Sequence, residues 1–413
     1  MDVLIERCAG LDVHKASVTA TVRVPGARRG THHVETRTFR TTTAGLVLLG
    51  DWLASFGVTV VGMESTGVYW KPVYYLLEDQ LECWLLNAQH LKHVPGRKTD
   101  VGDSAWIAEL VEHGMVRASF VPPKPIRELR ELTRYRKALI QERTREVQRL
   151  HKLLEDTGIK LGCVASDILG VSGRAMLEAL VGGTHDPAVL AELAKGVLRK
   201  KLPALREALQ GRVARHHRLL VAELLSHIDY LDEAVERLSG EVAVVVAPFS
   251  PLLALLCTIP GVDRRTAEVI LAEIGTDMAR FGTAGQLASW AGLCPGNNES
   301  AGKHSSGRTR KGSKWLRTAL VQAANAAARS KGTYLAAQYG RIKGRRGHKK
   351  AIVAVAHSIL VICWHLLTTG EPYSDLGGDY FLERQSSDAY KKRLVRQLER
   401  MGYQVSLQPA DAA

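Results

Sequence analysis

Acidic residues are missing from one stretch of this sequence. Residues 300–350 carry 14 Lys and Arg and no Asp or Glu. That segment accounts for the whole formal net charge of +14, because the remaining residues hold 42 basic and 42 acidic side chains. A surplus smeared over the chain would be a solubility device, whereas a concentrated one points to a face that meets a polyanion. Cysteines are few and dispersed (Cys8, Cys83, Cys163, Cys257, Cys294, Cys363), with no CxxC and no Cys/His ligand spacing. This excludes a disulfide or zinc framework and leaves them as small buried hydrophobes of a reducing compartment. Long apolar runs are also lacking: "AVVVA" and "HSILVICWHLL" are too short to span a bilayer, so no membrane partner is expected. Charges at Asp2, Glu6 and Arg7 argue against a secretory signal, and a cytoplasmic protein is the expectation.

What is present is a globular composition. Over 413 residues, 46% are hydrophobic and 24% charged, which implies two or three domains. Residues 1–117 alternate strand and helix signals. The runs "RCAGLDVHK", "SVTATVRV" and "VETRTFR" read as three strands, followed by a helix through "AGLVLLGDWLASFG". Then come a strand "VTVVGME", a helix "YWKPVYYLLEDQ", a strand "ECWLLN" and a helix starting near Asp103. Three meandering strands followed by α/β units is the order of an RNase H-like sheet.

Residues 118–245 read as long helices. One spans residues 124–157 with a partial stripe of Leu129, Leu132, Leu139, Val147, Leu150 and Leu154. A second carries Leu220, Leu224, Ile228, Leu231, Val235, Leu238 and Val242 at coiled-coil spacing. Such a pair could be a spacer packed on itself or a dimerisation arm, and one seam does not distinguish them. Residues 246–370 form a mostly α region. There "LLCTIPGVDRRTAEVILAEIG" reads as a helix-hairpin-helix-like element whose turn would offer amides to a phosphate. Residues 371–413 are a tail with a helix near 385–401 and no assigned role.

Two constellations carry chemistry. Asp12 interrupts an apolar strand, Glu64 closes a second strand, and Asp100 and Asp103 stand three apart at a helix start. Carboxylates in strand interiors are costly unless something such as a divalent metal compensates them. Two-metal phosphodiester chemistry needs acids converging from different elements. The bland reading makes Asp103 a helix cap and Glu64 a strand end. The second constellation is the loop "NNESAGKHSSGRTRKGSKWLR", where Ser300, Ser305 and Ser306 lie among Lys303, His304, Arg308, Arg310, Lys311, Lys314 and Arg317. These cations suit phosphates. The serines could be hydrogen-bonders only; a nucleophilic role needs a metal, a base or a guanidinium beside the hydroxyl. A third patch, "GRIKGRRGHKKA" with Arg345, Arg346 and Lys349, suits backbone contact to DNA or RNA.

With these residues in view, the sequence resembles the bacterial insertion-sequence transposases of the DEDD type, described as bridge-RNA-guided serine recombinases. The resemblance runs through "GLDVHK", "ESTGVYW", "GRKTDVGDSAWIAEL", "IPGVDRRTAEVILAEIG", "WAGLCPGNNESAGKHSSG" and "RKGSKWLRTAL", in order. It implies a RuvC-like RNase H domain in which Asp12, Glu64, Asp100 and Asp103 hold Mg²⁺. It also implies a catalytic serine in the segment after "GLCPG", which falls on Ser300 of "SAGK", with Ser305 and Ser306 as the other serines preceding a glycine. The acids and the serine would meet in a composite centre between subunits of a dimer or tetramer. There they would cut and exchange strands of element-end and target DNA through a phosphoserine link, guided by a structured noncoding RNA. A bacterial, nucleoid-associated protein follows. A metal-only nuclease of the junction-resolvase kind and a non-enzymatic nucleic-acid scaffold are the alternative readings.

Overall fold

The structure is a computed structural model that describes residues 3–28, 30–65, 67–88, 91, 102–296, 298–300, 303–306, 309–383 and 387–407. The chain divides into two compact units, Met1–Pro122 and Pro123–Ala413.

In the first unit, strands β1 (Cys8–Val13), β2 (Ser17–Pro25), β3 (His32–Arg40), β4 (Val60–Glu64) and β5 (Glu82–Leu86) form one sheet in the order β3-β2-β1-β4-β5. The β1–β2 and β2–β3 pairs are antiparallel; β4 runs parallel to both β1 and β5. The edge strand β3, "HHVETRTFR", keeps Arg37 and Arg40 in solvent, which discourages pairing with another chain. Alternation along the strands assigns each face. Ala9, Leu11 and Val13 of β1, with Val61 and Met63 of β4, pack against Leu46, Leu49, Trp52 and Leu53 of helix α1 (Thr43–Ser55) and Val73 and Leu77 of α2 (Trp70–Leu77). Cys8 and Val60, on the opposite face, pack against Ile107, Leu110 and Val111 of α3 (Asp103–Glu112).

Helix α3 lies unusually close to the sheet because glycines make room for it. A Cβ on Gly10 would sit 2.1 Å from the Ser104 carbonyl oxygen, and one on Gly62 would sit 2.5 Å from Val111 Cγ2. The side chains of Ser104 and Thr21 share a hydrogen bond of 2.8 Å at this seat. A mixed α/β sheet in the order expected from sequence is what the first unit contains.

The second unit is mostly helical. Helix α4 (Lys124–Thr157) starts after Pro123 and stops at Gly158, whose φ of 82° is a left-handed cap. It packs on α6 (Arg215–Val246), with Leu139 buried against Leu231, Ala234 and Val235, so the long helices have partners within one chain. Between them, α5 (Val171–Val181) and the short helices Pro187–Glu192 and Leu202–Ala208 build a cap over Leu150, Leu154, Val221 and Leu225. The seam expected from sequence is therefore shifted at its start. Val221 and Leu225 are buried, while Leu220 is 46% exposed.

Next follow α7 (Ser250–Cys257), α8 (Arg264–Ile274), α9 (Ala284–Trp290), a hairpin of β6 (Asn298–Ser300) and β7 (Lys303–Ser306), α10 (Lys314–Ala327), α11 (Tyr334–Arg346), α12 (His348–Thr369) and α13 (Ser387–Arg400). The serine-bearing segment, expected to be a loop, thus contains a short antiparallel ladder. The turn between α7 and α8 uses Gly261 at a φ of 86°, pressed on α10: its Cβ would lie 2.4 Å from the Ala323 carbonyl oxygen. The Ile259 and Val262 amides of that turn donate to Leu256 and Ile259 carbonyls, so they are committed within the turn and do not await a phosphate.

Two further expectations are corrected. Among the six free cysteines only Cys8 and Cys363 are buried, and Cys163 and Cys257 are exposed. The helical stretches Arg215–Cys257 and His348–Thr369 are long and apolar enough to cross a bilayer by length and composition alone. Each instead presents buried residues to its neighbours in the helical unit, Val221, Leu225 and Ile228 in one and Val355, Ile359 and Leu360 in the other.

Candidate active site and nucleic-acid interface

Asp12 and Glu64 stand at the same end of the sheet. Leu11 of β1 stands in parallel register with Met63 of β4, so the next residues, Asp12 and Glu64, are lateral neighbours. Both follow by two residues a glycine that seats α3, and so both share the face on which α3 lies. Asp12 is the only residue of β1 that is not buried, and Glu64 is half-buried at the carboxyl end of β4. Asp103 opens α3, one residue before the Ser104 carbonyl that covers Gly10. The register and the helix seat therefore place Asp12 and Glu64 at adjacent strand ends on the face that α3 covers, with Asp103 at the start of that helix. Asp100 lies outside the described residues.

Among the described residues, neither Asp12 nor Glu64 is paired with Lys or Arg. Asp12 Oδ2 instead meets His14 Nε2 at 3.1 Å. His14 was quoted in the "GLDVHK" motif but not singled out. It lies just past the end of β1, in the turn to β2, two residues from Asp12.

In the second unit, Ser300 is the last residue of β6, and its backbone pairs with Lys303, the first residue of β7. Ser306 pairs with Asn298 at the far end of the ladder, so pairing puts Ser300 beside the hairpin turn and Ser306 away from it. The base of the hairpin is closed by two glycines. Gly312 approaches so closely that a Cβ there would be 2.1 Å from the Ala291 carbonyl oxygen, and Gly292 adopts a φ of 68° against the Arg310 carbonyl. Ser313 then caps α10, accepting from the Leu316 amide, and donates its hydroxyl to Glu273 Oε2 at 2.8 Å. Glu273 is buried and held by a fork from Arg134 at 2.7 and 2.8 Å, while Arg130 donates to the Ala272 and Glu273 carbonyls at the end of α8. This anchor of α4, α8 and α10 escaped sequence reasoning, because a Glu inside "LAEIG" reads as the polar face of a helix.

The expected phosphate-binding residues separate into groups. Arg310, Lys311 and Lys314 are exposed between the hairpin and α10, and Arg317 is half-buried on α10. Arg345 and Arg346 end α11 and Lys349 begins α12, all exposed, next to the exposed Arg341, Lys343 and Lys350. None of these forms an ion pair among the described residues, so the patch is a field of uncompensated positive charge. Of Lys303 only the backbone is described, and Arg308 lies outside the described residues.

Residues 9–159 match the family model of the DEDD transposase of IS110, described as Transposase, and residues 253–340 match the model described as Transposase IS116/IS110/IS902 family. The two models name one family, occur in order, and together match more than half of the chain. The chain belongs to the IS110 family of transposases. Among its relatives is the transposase for insertion sequence element IS1111A of Coxiella burnetii, 28% identical over 334 residues, covering 78% of this chain and 81% of that protein. The putative transposase y4pF/y4sB of Sinorhizobium fredii is 27% identical, covering 78% of this chain and 76% of its own length. The transposase for insertion sequence element IS1328 of Yersinia enterocolitica is 24% identical, covering 79% and 89%.

A DEDD transposase domain of the IS110 family implies a divalent metal. The donors present fit one in kind: Asp12 and Glu64 are hard oxygen ligands, side by side, with no basic side chain neutralising them among the described residues. Among the described residues no three His, Cys, Asp or Glu side chains are grouped closely enough to hold an ion by themselves.

Proposed function

We propose that this IS110-family transposase exchanges DNA strands through a phosphoserine at Ser300, with Asp12, Glu64, Asp100 and Asp103 holding Mg²⁺. The reading is supported by the position of Asp12 and Glu64, each following the paired residues Leu11 and Met63 at the carboxyl ends of parallel strands, beneath the start of α3. The strand order β3-β2-β1-β4-β5 supports an RNase H-like (RuvC-like) reading of the first unit. Beyond the sheet, residues 118–245 are read as the long-helix region, 246–370 as the serine-bearing domain and 371–413 as a tail.

When bound, the metal supplies positive charge to the scissile phosphate. The carboxylates hold that charge in place and keep it from the rest of the chain. Ser300 Oγ attacks phosphorus, the bond to the leaving sugar oxygen breaks, and a hydroxyl of the incoming strand reverses the step. One phosphodiester replaces another, so no high-energy cofactor is needed. Arg310, Lys311, Lys314 and Arg317 bind the backbone around the reacting phosphate, and Arg345, Arg346 and Lys349 extend that track. A structured guide RNA would supply sequence recognition to a protein whose own cations read phosphate and shape. Two exchanging duplexes call for a dimer or tetramer.

The test is a suicide DNA substrate presented to wild type, Ser300→Ala and Asp12→Asn, followed by a denaturing gel. Wild type forms a protein–DNA adduct and both variants lose it. Normal strand exchange by Ser300→Ala would sink the serine mechanism. Cleavage without an adduct, lost only in Asp12→Asn, would establish a water-using nuclease instead. Sequencing RNA that copurifies with the protein tests the guide.

A further inference from the structure

Helices α4, α8 and α10 enclose a cleft with a volume of about 240 Å³. Its lining combines apolar groups of Ile140, Val269 and Ala319 with the indole of Trp315 and a set of cations. Two of those cations are already balanced. Arg134 is forked onto Glu273, and Arg136 is buried against Glu268 at 2.7 Å. The other two are not. Lys137 donates only to the uncharged Gln322 Oε1, at 3.2 Å, and Arg265 makes no hydrogen bond or ion pair among the described residues. The one acid lining the cleft, Asp263, accepts from the Thr266 amide as the cap of α8 and also feels the charge of Arg265.

An ammonium drawn out of water without an anion is unfavourable, and burial holds the Lys137 amine below the usual lysine range. Apart from the partners of Arg134 and Arg136, two cations, Lys137 and Arg265, face one lining carboxylate, Asp263, so the cleft keeps a net positive charge. It also offers an aromatic ring, and Lys314 lies over the Trp315 indole at 5.0 Å from its centroid. An anion joined to a flat π-surface is the chemistry of a nucleotide. A duplex does not enter a cleft of about 240 Å³, whereas a single base lifted from its stack is small enough to do so, with its sugar and phosphate at the mouth. Trp315 and Gln322 come from the segment that carries 14 basic residues and no acid, so the surroundings of the cleft favour a polyanion over a peptide or a neutral metabolite.

We propose that this cleft is a nucleotide pocket: it takes one unpaired nucleotide of a nucleic-acid strand, with the base against Trp315 and the phosphate between Lys137 and Arg265. The assignment rests on the family acting on DNA and is independent of the serine mechanism. Strand exchange requires unpaired nucleotides, and a pocket of this kind would hold one out of the duplex.

The experiment measures fluorescence anisotropy of the full chain with labelled oligothymidylate, oligouridylate and a blunt duplex, at physiological salt. From the usual worth of a base stacked on an aromatic ring, Trp315→Ala weakens single-strand binding by about 5- to 100-fold, while duplex affinity changes by less than about 2-fold. Trp315→Phe keeps most of the affinity. Arg265→Ala, an exposed change that leaves the fold alone, gives a loss in the same direction and keeps the test decisive if Trp315→Ala fails to fold. A loss on one single strand only identifies the pocket's source as DNA or RNA. Unchanged single-strand affinity in both Trp315→Ala and Arg265→Ala overturns the proposal. So does an equal loss on the duplex, which would make these residues general backbone contacts. Neither result bears on the adduct formed at Ser300.

Discussion

Replacing Gly10 by Ala tests how the acids are held in place. The added Cβ would lie 2.1 Å from the Ser104 carbonyl oxygen and 2.3 Å from the Ala108 amide nitrogen, both backbone atoms of α3. Neither can rotate away, so α3 must lift from β1, taking Asp103 with it. Overpacking a well-filled core costs about 1–3 kcal/mol, and a clash with backbone belongs at or above the upper end, about 3 kcal/mol. Gly50, inside α1, is the internal control. A Cβ there meets Leu77 Cδ2 at 3.5 Å and Gln80 Oε1 at 3.7 Å, which is ordinary contact. Ala is the better helix former, so Gly50→Ala stabilises α1 by about 1 kcal/mol. The two changes are chemically identical and opposite in sign. Amide hydrogen exchange of the full chain, read peptide by peptide, avoids treating a chain of two units as two-state. Gly10→Ala should lose protection across residues 103–112 and lose DNA strand exchange, while Gly50→Ala gains protection across residues 43–55 and keeps activity. Wild-type protection of α3 in Gly10→Ala would refute the reasoning outright.

Two further changes probe the helical unit. Glu268→Ala strands Arg136, which is only 4% exposed, and should destabilise by about 3–5 kcal/mol, whereas exchanging the pair for Leu and Met should recover most of that loss; chemical denaturation of the single and double variants checks it. At Asp263, burial alone would raise the carboxyl pKa, but hydrogen bonds from Thr266 and the charge of Arg265 outweigh it and hold the group below its ordinary value. Its cap is therefore fully formed above the unfolded carboxylate range and is lost as pH falls through the depressed folded value, below about pH 4. Asp263→Asn should flatten the acid limb of the stability curve, a result that a pH titration of unfolding would expose.

Much of the element order was legible in the sequence, because it depends on local alternation. Strand and helix runs in residues 1–117 and the long helix at 124–157 follow from period-2 and period-3.6 patterning. The hairpin at 298–306 was not legible: "NES" and "KHSS" have no apolar alternation, and the ladder is recorded only in backbone pairing. The start of the α6 seam was misplaced for another reason. Val221 and Leu225 are buried by residues 161–209, a cap whose contacts no single-helix periodicity reveals. Asp12 was visible as an acid in an apolar run, but its position beside Glu64 is a matter of parallel register between strands some fifty residues apart. Ser313 stood in the quoted basic stretch and was passed over, since its partner Glu273 lies on another helix.

Both halves of the candidate chemistry rest on the same device, a glycine that lets one backbone press on another next to a functional residue. Gly10 and Gly62 seat α3 two residues before Asp12 and Glu64; Gly312 closes on Ala291 at the foot of the hairpin that carries Ser300. Backbone seats of this kind fix position without using the functional side chain as part of the anchor. For the acids the consequence is electrostatic. In the proposed reading, two carboxylates at adjacent strand ends, with no Lys or Arg partner among the described residues, would accept a cation between them. A salt bridge at Asp12 would have stabilised the sheet more and left the acid unavailable. Paired only with His14 among the described residues, beside a helix seated on glycine, Asp12 has the setting that the proposed metal-binding role calls for.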